Sequence, residues 1–354
     1  MALSPPSADE QLRFLSKLQR IFSEGDFTAT YKFALLISLA DLSLELGHDD
    51  GRDLVLKNRQ IGERFISLYW NQSLPYGTGR LGCEPGVLAQ NNGAQAAVVS
   101  AISLFRERTG NRSLLSAISN KGYESLLTTV TSTVAAQPLT YLQNFGGSKD
   151  EFIFDRPGTG IVRLKPGVPY CLRRFYPLIQ QLARSHWITH IKDNKRNFSI
   201  LGEADDLEEF LFETSRQSLE LVSAGLRKLD GNNCFYCGRN LTSADVDHFI
   251  PYSLYPRDLT HNFVLSHPAC NRSKSDTLAA LGHLERWLTR IEKDSGAIAE
   301  IGYNAGFVTN PNIIHKVGAW AYENACRADG HAWISANNYA HIDDTYIKCF
   351  DTQN

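Results

Sequence analysis

The sequence predicts a mostly α-helical protein with a small α+β domain in its C-terminal third. Three observations carry this. Apolar residues recur at helical spacing through most of the N-terminal part, strand-like runs are few and short, and the stretch from Cys234 to Asp276 is irregular, polar and rich in cysteine and histidine. At 354 residues the chain can bury one large core or two modest ones.

The elements follow in order. Ser7-Ala8-Asp9-Glu10 has the form of a capping box, and Leu12, Leu15, Leu18 and Phe22 then share one helical stripe. Residues 28–46 are rich in Ala and Leu on more than one face, which predicts a helix at the centre of a bundle. Further helices are expected over 62–70, 94–108 and 113–134, and the segment 71–92, with four Gly and two Pro, reads as a loop. Phe152-Ile153-Phe154 and Gly160–Leu164 read as two short strands joined by a turn over 155–159. Residues 176–191 and 217–229 return to helical spacing, and helices are expected again over 278–291 and 311–327, the last of them closing the chain.

Charge narrows the function classes. The net charge is −2, so attraction to phosphates must come from local patches. The best such patch runs from Arg173 to Arg196, with Phe175, Tyr176 and Trp187 interleaved; its default reading is a solvated helix face. The acidic segment 203–220 could offset it. The start MALSPPSADEQ lacks the pattern of a signal peptide, and no apolar run is long enough to span a bilayer, so a soluble, cytoplasmic protein without membrane partners is expected. Seven scattered cysteines (Cys83, Cys171, Cys234, Cys237, Cys270, Cys326 and Cys349) do not form a secreted disulfide framework; three of them cluster, which points to metal binding in a reducing compartment.

Two overlapping patterns occupy the C-terminal stretch. In the first, Cys234-x-x-Cys237 is followed by His267-x-x-Cys270. Two residues between ligands let a tight turn aim both side chains at one ion, and two such pairs supply the four tetrahedral donors of a structural Zn²⁺. Thiolate-rich donors favour zinc over magnesium or calcium. In the second, Asp247-His248 is followed by Asn262 and Asn271. Asp247 and the Asn271 side-chain oxygen are suitable donors to a hard cation such as Mg²⁺. His248 can take a proton from water near neutral pH, and Asn262 can hold the imidazole in one orientation. Arg272 and Lys274 are placed to pair with phosphate. Adjacent strand residues point to opposite faces, so Asp247 and His248 can serve one site only if their strand ends, twists or bulges there; Pro251 is consistent with an ending.

At these residues the sequence resembles the HNH endonuclease family in its zinc-containing form. The matching elements are Cys234-x-x-Cys237, Asp247-His248 with Pro251, Asn262 with Val264-Leu265, and Cys270-Asn271-x-x-Lys274. The resemblance departs from the common pattern in having His267 where many members have cysteine, and Asn271 where the family name implies histidine. It implies a ββα-metal fold in which His248 is the general base, Asp247 and Asn271 bind a catalytic Mg²⁺ or Mn²⁺, and Asn262 orients the base. It also implies DNA as substrate, with one strand cut per site; a double-strand break would need a homodimer, a second engagement or a partner subunit. The flanks are similar to standalone bacterial HNH proteins, some of which belong to anti-phage defence loci. The expected organisation is a helical segment of unknown role over 1–145, a partly basic hairpin-and-helix connector over 146–230, the HNH domain over 231–295 and a helical extension over 296–354. Two other readings stand beside the DNA endonuclease: a zinc-stabilised binding or scaffold subunit of a larger complex without its own activity, and an RNA nuclease with the same chemistry.

Overall fold

The computed structural model describes residues 4–77, 84–110, 113–201, 207–212 and 216–351. Cys83 and part of the acidic segment 203–220 lie outside the described residues. The chain divides into two compact units, Met1–Glu213 and Thr214–Asn354.

The first unit is built around one buried helix. Helix α1 (Ala8–Glu24) opens on the predicted capping box, with Ser7 Oγ accepting from Glu10 N and the Glu10 carboxylate accepting from Ser7 N. Helix α2 (Tyr31–Leu46) is buried from Tyr31 to Glu45, as its all-round apolar composition predicts. Its buried carboxylates have partners: Asp41 accepts from Tyr176 Oη at 2.7 Å and Gln180 Nε2 at 2.8 Å, and Glu45 pairs with Arg64. Strand β1 (Leu54–Lys57) leads into α3 (Asn58–Trp70). The run predicted as one helix over 113–134 is two: after α4 (Ala97–Thr109), α5 (Leu114–Ile118) and α6 (Tyr123–Ala136) are separated where the Asn120 side chain accepts from Gly122 N at 2.8 Å and closes a turn.

Helix α7 (Pro138–Tyr141) and the short pair β2 (Asn144–Phe145) and β3 (Ser148–Lys149) precede a hairpin of β4 (Phe154–Gly158) and β5 (Ile161–Leu164), whose first strand runs through most of the segment expected as the turn, leaving only residues 159–160 to reverse the chain. Strand β1 adds to it in the antiparallel order β1-β5-β4. Helices α8 (Val168–Arg174), α9 (Tyr176–Asp193), α10 (Phe198–Leu201) and α11 (Leu207–Phe212) complete the unit. The basic segment does not form one surface. Arg173 turns inward onto Asp49 at 2.9 Å, Tyr176 and Trp187 are fully buried, and only Lys192, Lys195 and Arg196 among the later cations are exposed.

The second unit is α+β. Helix α12 (Arg216–Asp230) precedes β6 (Asp245–His248) and β7 (Phe263–Ser266), which pair antiparallel and lead into α13 (Pro268–Lys274). Four helices and a hairpin follow: α14 (Leu281–Lys293), α15 (Ser295–Ala305), α16 (Pro311–Arg327), β8 (His331–Ser335), β9 (Asn338–His341) and α17 (Asp344–Asp351). Phe249 stacks on Trp287 at 4.4 Å in the core between the hairpin and α14. Arg290 of α14 pairs with Asp230 at the end of α12 and donates to Phe263 O, tying both to β7. Helix α14 starts at Leu281, not at the predicted Leu278, because residues 278–280 pair with β8 instead: Trp333 N donates to Leu278 O at 2.7 Å and Ala280 N to Trp333 O at 2.8 Å. The helix predicted to close the chain is followed by β8, β9 and α17. Among the described residues no helix is long and apolar enough to cross a membrane.

Candidate functional site

The cysteine-rich turn is shaped by its backbone. Gly238 N donates to Cys234 O at 2.9 Å with Gly238 at φ +70°, a conformation that favours glycine, and Cys234 N donates to Arg239 O at 2.9 Å. This turn presents Cys234 and Cys237 on one side. His267 caps α13 and Cys270 lies in its first turn, and the ligand atoms of all four residues fall within 4.8 Å of one another. Tetrahedral zinc separates such donors by roughly 3.5–3.8 Å, so the group is of the right size. His267 Nδ1 lies 3.3 Å from Cys237 Sγ, while its Nε2 faces Asn240 O at 3.1 Å. The carbonyl holds the Nε2 proton and leaves the Nδ1 lone pair facing the thiols, the arrangement a ligating histidine needs.

The thiols respond to one another. Burial alone would raise the Cys237 thiol, but hydrogen bonds from Arg239, Cys234 and His267 outweigh it and bring it down to about 6. Burial, then the neighbouring Cys234 and Cys237, push Cys270 up to about 12. Thiols crowded this closely cannot all ionise without a cation among them.

A group of oxygen donors sits next to this cluster on the hairpin. Asp245 and Asp247, two apart on β6, share one face. Asp247 is 7% exposed, and its Oδ2 accepts from Tyr236 Oη at 2.5 Å and pairs with Lys274 Nζ at 3.3 Å. Among the described residues its Oδ1 takes no hydrogen bond. Burial, then the charge of Asp247, holds Tyr236 well above the ordinary phenol value, so it remains a donor. On α13, Asn271 Nδ2 donates to Asp245 Oδ2 at 3.1 Å. That bond fixes the amide and leaves its Oδ1 as the open end.

His248 is the last residue of β6, still paired in register with Phe263, and the chain bends only after it, through Phe249 and Ile250 to Pro251. Its Nε2 faces Asp258 Oδ1 at 2.6 Å. The ring is flanked by Phe263 at 4.9 Å and Tyr252 at 5.2 Å.

Two predicted placements differ. Asn262 does not touch the imidazole: its Oδ1 accepts from Ile250 N at 2.8 Å and its Nδ2 donates to Ile250 O at 2.9 Å. The amide is spent on the buried backbone just after His248, where an unpaired N–H and C=O would be costly. Lys274 does not reach toward a phosphate: it is 1% exposed, on Asp247 and on His248 O at 3.0 Å. A buried carboxylate draws the ammonium in, and burial lowers the Lys274 pKa despite Asp247's opposing pull. Arg272, the other predicted phosphate contact, is exposed. Sequence reasoning missed Tyr236, Asp245 and Asp258. Alternation along β6 pointed to Asp245; the other two lie in irregular segments that carry no periodic signal.

Residues 234–277 match the family model described as HNH endonuclease. This segment is an HNH domain. The β6-β7-α13 unit with its Cys/His zinc-binding group lies within the match, whereas α12 and everything from α14 onward lie outside it. No curated protein and no solved structure matches the chain. HNH domains are nuclease domains, and nuclease activity in general is what the match supports.

Proposed function

We propose that the chain is a DNA endonuclease that hydrolyses phosphodiester bonds at the HNH domain, with His248 as general base. The observation that carries this is the division of labour within each side chain: one atom of Asp247, Asn271 and His248 is held by a neighbour, and the other has no hydrogen bond among the described residues. Nothing in the zinc group requires that arrangement. His248 takes a proton from water through Nδ1, the water oxygen attacks phosphorus, and the 3′ oxygen leaves. Asp247 Oδ1 and Asn271 Oδ1 would hold Mg²⁺ or Mn²⁺, two hard oxygens being enough for an ion that keeps several waters. Such an ion, when bound, stabilises negative charge on the phosphate and on the leaving oxygen. Lys274 and Tyr236 hold Asp247 in place; Arg272 is exposed and free to meet the DNA backbone.

Cys234, Cys237, His267 and Cys270 would hold a structural Zn²⁺, which would fix the turn carrying Tyr236 and the start of α13. One such site nicks one strand, so double-strand cleavage requires a homodimer, a second engagement or a partner subunit. A cytoplasmic enzyme of bacterial anti-phage defence is the setting this reading favours, on the resemblance of the flanks alone. Relaxation of supercoiled plasmid with Mg²⁺ or Mn²⁺ tests the activity. Wild type should relax the plasmid and His248→Ala should not; equal behaviour refutes the assignment. Competition with RNA identifies the preferred nucleic acid.

A further inference from the structure

We infer that Asp258 is a positioning residue for His248, fixing which imidazole nitrogen is offered to water; this rests on the nuclease reading above. The 2.6 Å contact joins Asp258 Oδ1 to Nε2, and the two side chains are only 13% and 19% exposed. An ionised carboxylate only accepts, so the Nε2 nitrogen carries the proton and the Nδ1 lone pair is left to work. Phe263 and Tyr252 flank the ring and oppose its rotation away from this partner.

Asp258 is not on a loose tip. The segment before it folds back on itself, with Leu254 N and Tyr255 N donating to Pro251 O, and the fully buried Tyr255 anchors it. Arg257 adds a bond to Tyr255 Oη at 3.2 Å, and Leu259, 1% exposed, pairs with Val308 in a β-bridge directly after Asp258. The carboxylate is therefore held from both sides of the chain. Asn262 braces the backbone behind His248 while Asp258 holds the ring. The orienting role that Asn262 was expected to fill directly is thus divided between two residues.

The test uses full-length, zinc-loaded protein with Asp258→Ala, the near-isosteric Asp258→Asn and His248→Ala. Cleavage kinetics are measured with Mn²⁺, and ring ¹⁵N–¹H spectra without it. A positioned general base is worth ~10²–10⁴ in rate, so losing its orientation should lower kcat at least tenfold in both Asp258 variants. KM for DNA should stay within about twofold, because Asp258 holds a ring and not the substrate. The His248 spectrum should show the Nε2–H tautomer in wild type and a mixture in Asp258→Ala. If Asp258→Ala does not fold, Asp258→Asn carries the comparison. The inference is overturned if His248→Ala abolishes cleavage while both Asp258 variants keep kcat within twofold. It is also overturned if the tautomer is unchanged in Asp258→Ala. If wild type itself does not cleave, the nuclease reading fails separately, and the spectra alone decide whether Asp258 sets the tautomer.

Discussion

Replacing Asn262 with alanine separates two ways this residue can act. In the structure the amide makes two bonds to Ile250, at 2.8 and 2.9 Å, and both residues are fully buried. Truncation leaves one buried N–H and one buried C=O without partners. Each such orphan costs about 1–3 kcal/mol, so the variant should lose about 2–6 kcal/mol of stability. At roughly 2–4 °C per kcal/mol for a domain of this size, the melting midpoint should fall by roughly 4–24 °C. Calorimetry of the full chain gives the midpoint, and cleavage is then compared at a temperature where the variant is still folded. Activity should fall less than it does in His248→Ala, because the imidazole keeps Asp258. A variant that melts within about 1 °C of wild type yet has lost cleavage would refute the backbone assignment and return Asn262 to the imidazole or the substrate.

Three further outcomes are expected. Cys270→Ser, or extraction of metal by a chelator, should lower bound zinc and the melting midpoint together; a serine variant that keeps wild-type metal content and midpoint rules out ligation by Cys270. Lys274→Met should destabilise by about 3–5 kcal/mol in urea unfolding, because it leaves the Asp247 carboxylate buried without its cation, and adding Asp247→Asn should recover part of the loss; a loss under about 1 kcal/mol contradicts the ion pair's role. His261 is fully buried, and burial lowers its pKa below the ordinary 6.5, so the folded state prefers the neutral ring. Its contribution is present above pH 6.5 and is lost as pH falls through the depressed folded value, so wild type should weaken in acid with a steeper slope than His261→Gln; identical slopes in urea titrations would count against it.

The parts of the fold that could be read in the sequence are those whose signal is local. The Ser7 capping box, the all-round apolar helix at Tyr31–Leu46 and the two C-x-x-ligand pairs each state their structure within a few residues. The parts that escaped depend on distant partners. Leu54–Lys57 is too short to announce a strand, and it becomes one only because β5 offers an edge. Leu278–Ala280 has helical spacing but is drawn into pairing by Trp333. Within the site the motif residues were legible and their neighbours were not. Tyr236, Asp245 and Asp258 matter through which atom of another residue they occupy, and spacing alone does not encode that. Lys274 was misread because a cation near a catalytic motif suggests phosphate, whereas here the nearest negative charge is the protein's own.

The docking of β8 has a consequence in time. Trp333 donates through Nε1 to Ser273 Oγ on α13 at 3.0 Å, packs edge-on against Tyr236 at 5.2 Å, and pairs its backbone with residues 278 and 280. Those partners leave the ribosome long before it does: 60 residues separate Trp333 from Ser273, several seconds of synthesis at roughly 5–20 residues per second. Until then Tyr236 lacks one wall and the segment after α13 lacks its pairing strand. A chain terminated ahead of residue 331 would carry every motif residue of the HNH domain and still lack the cover over the tyrosine that holds Asp247. Completion of the site is thereby tied to synthesis through β8, so a chain that stops short of it has the motif without its cover.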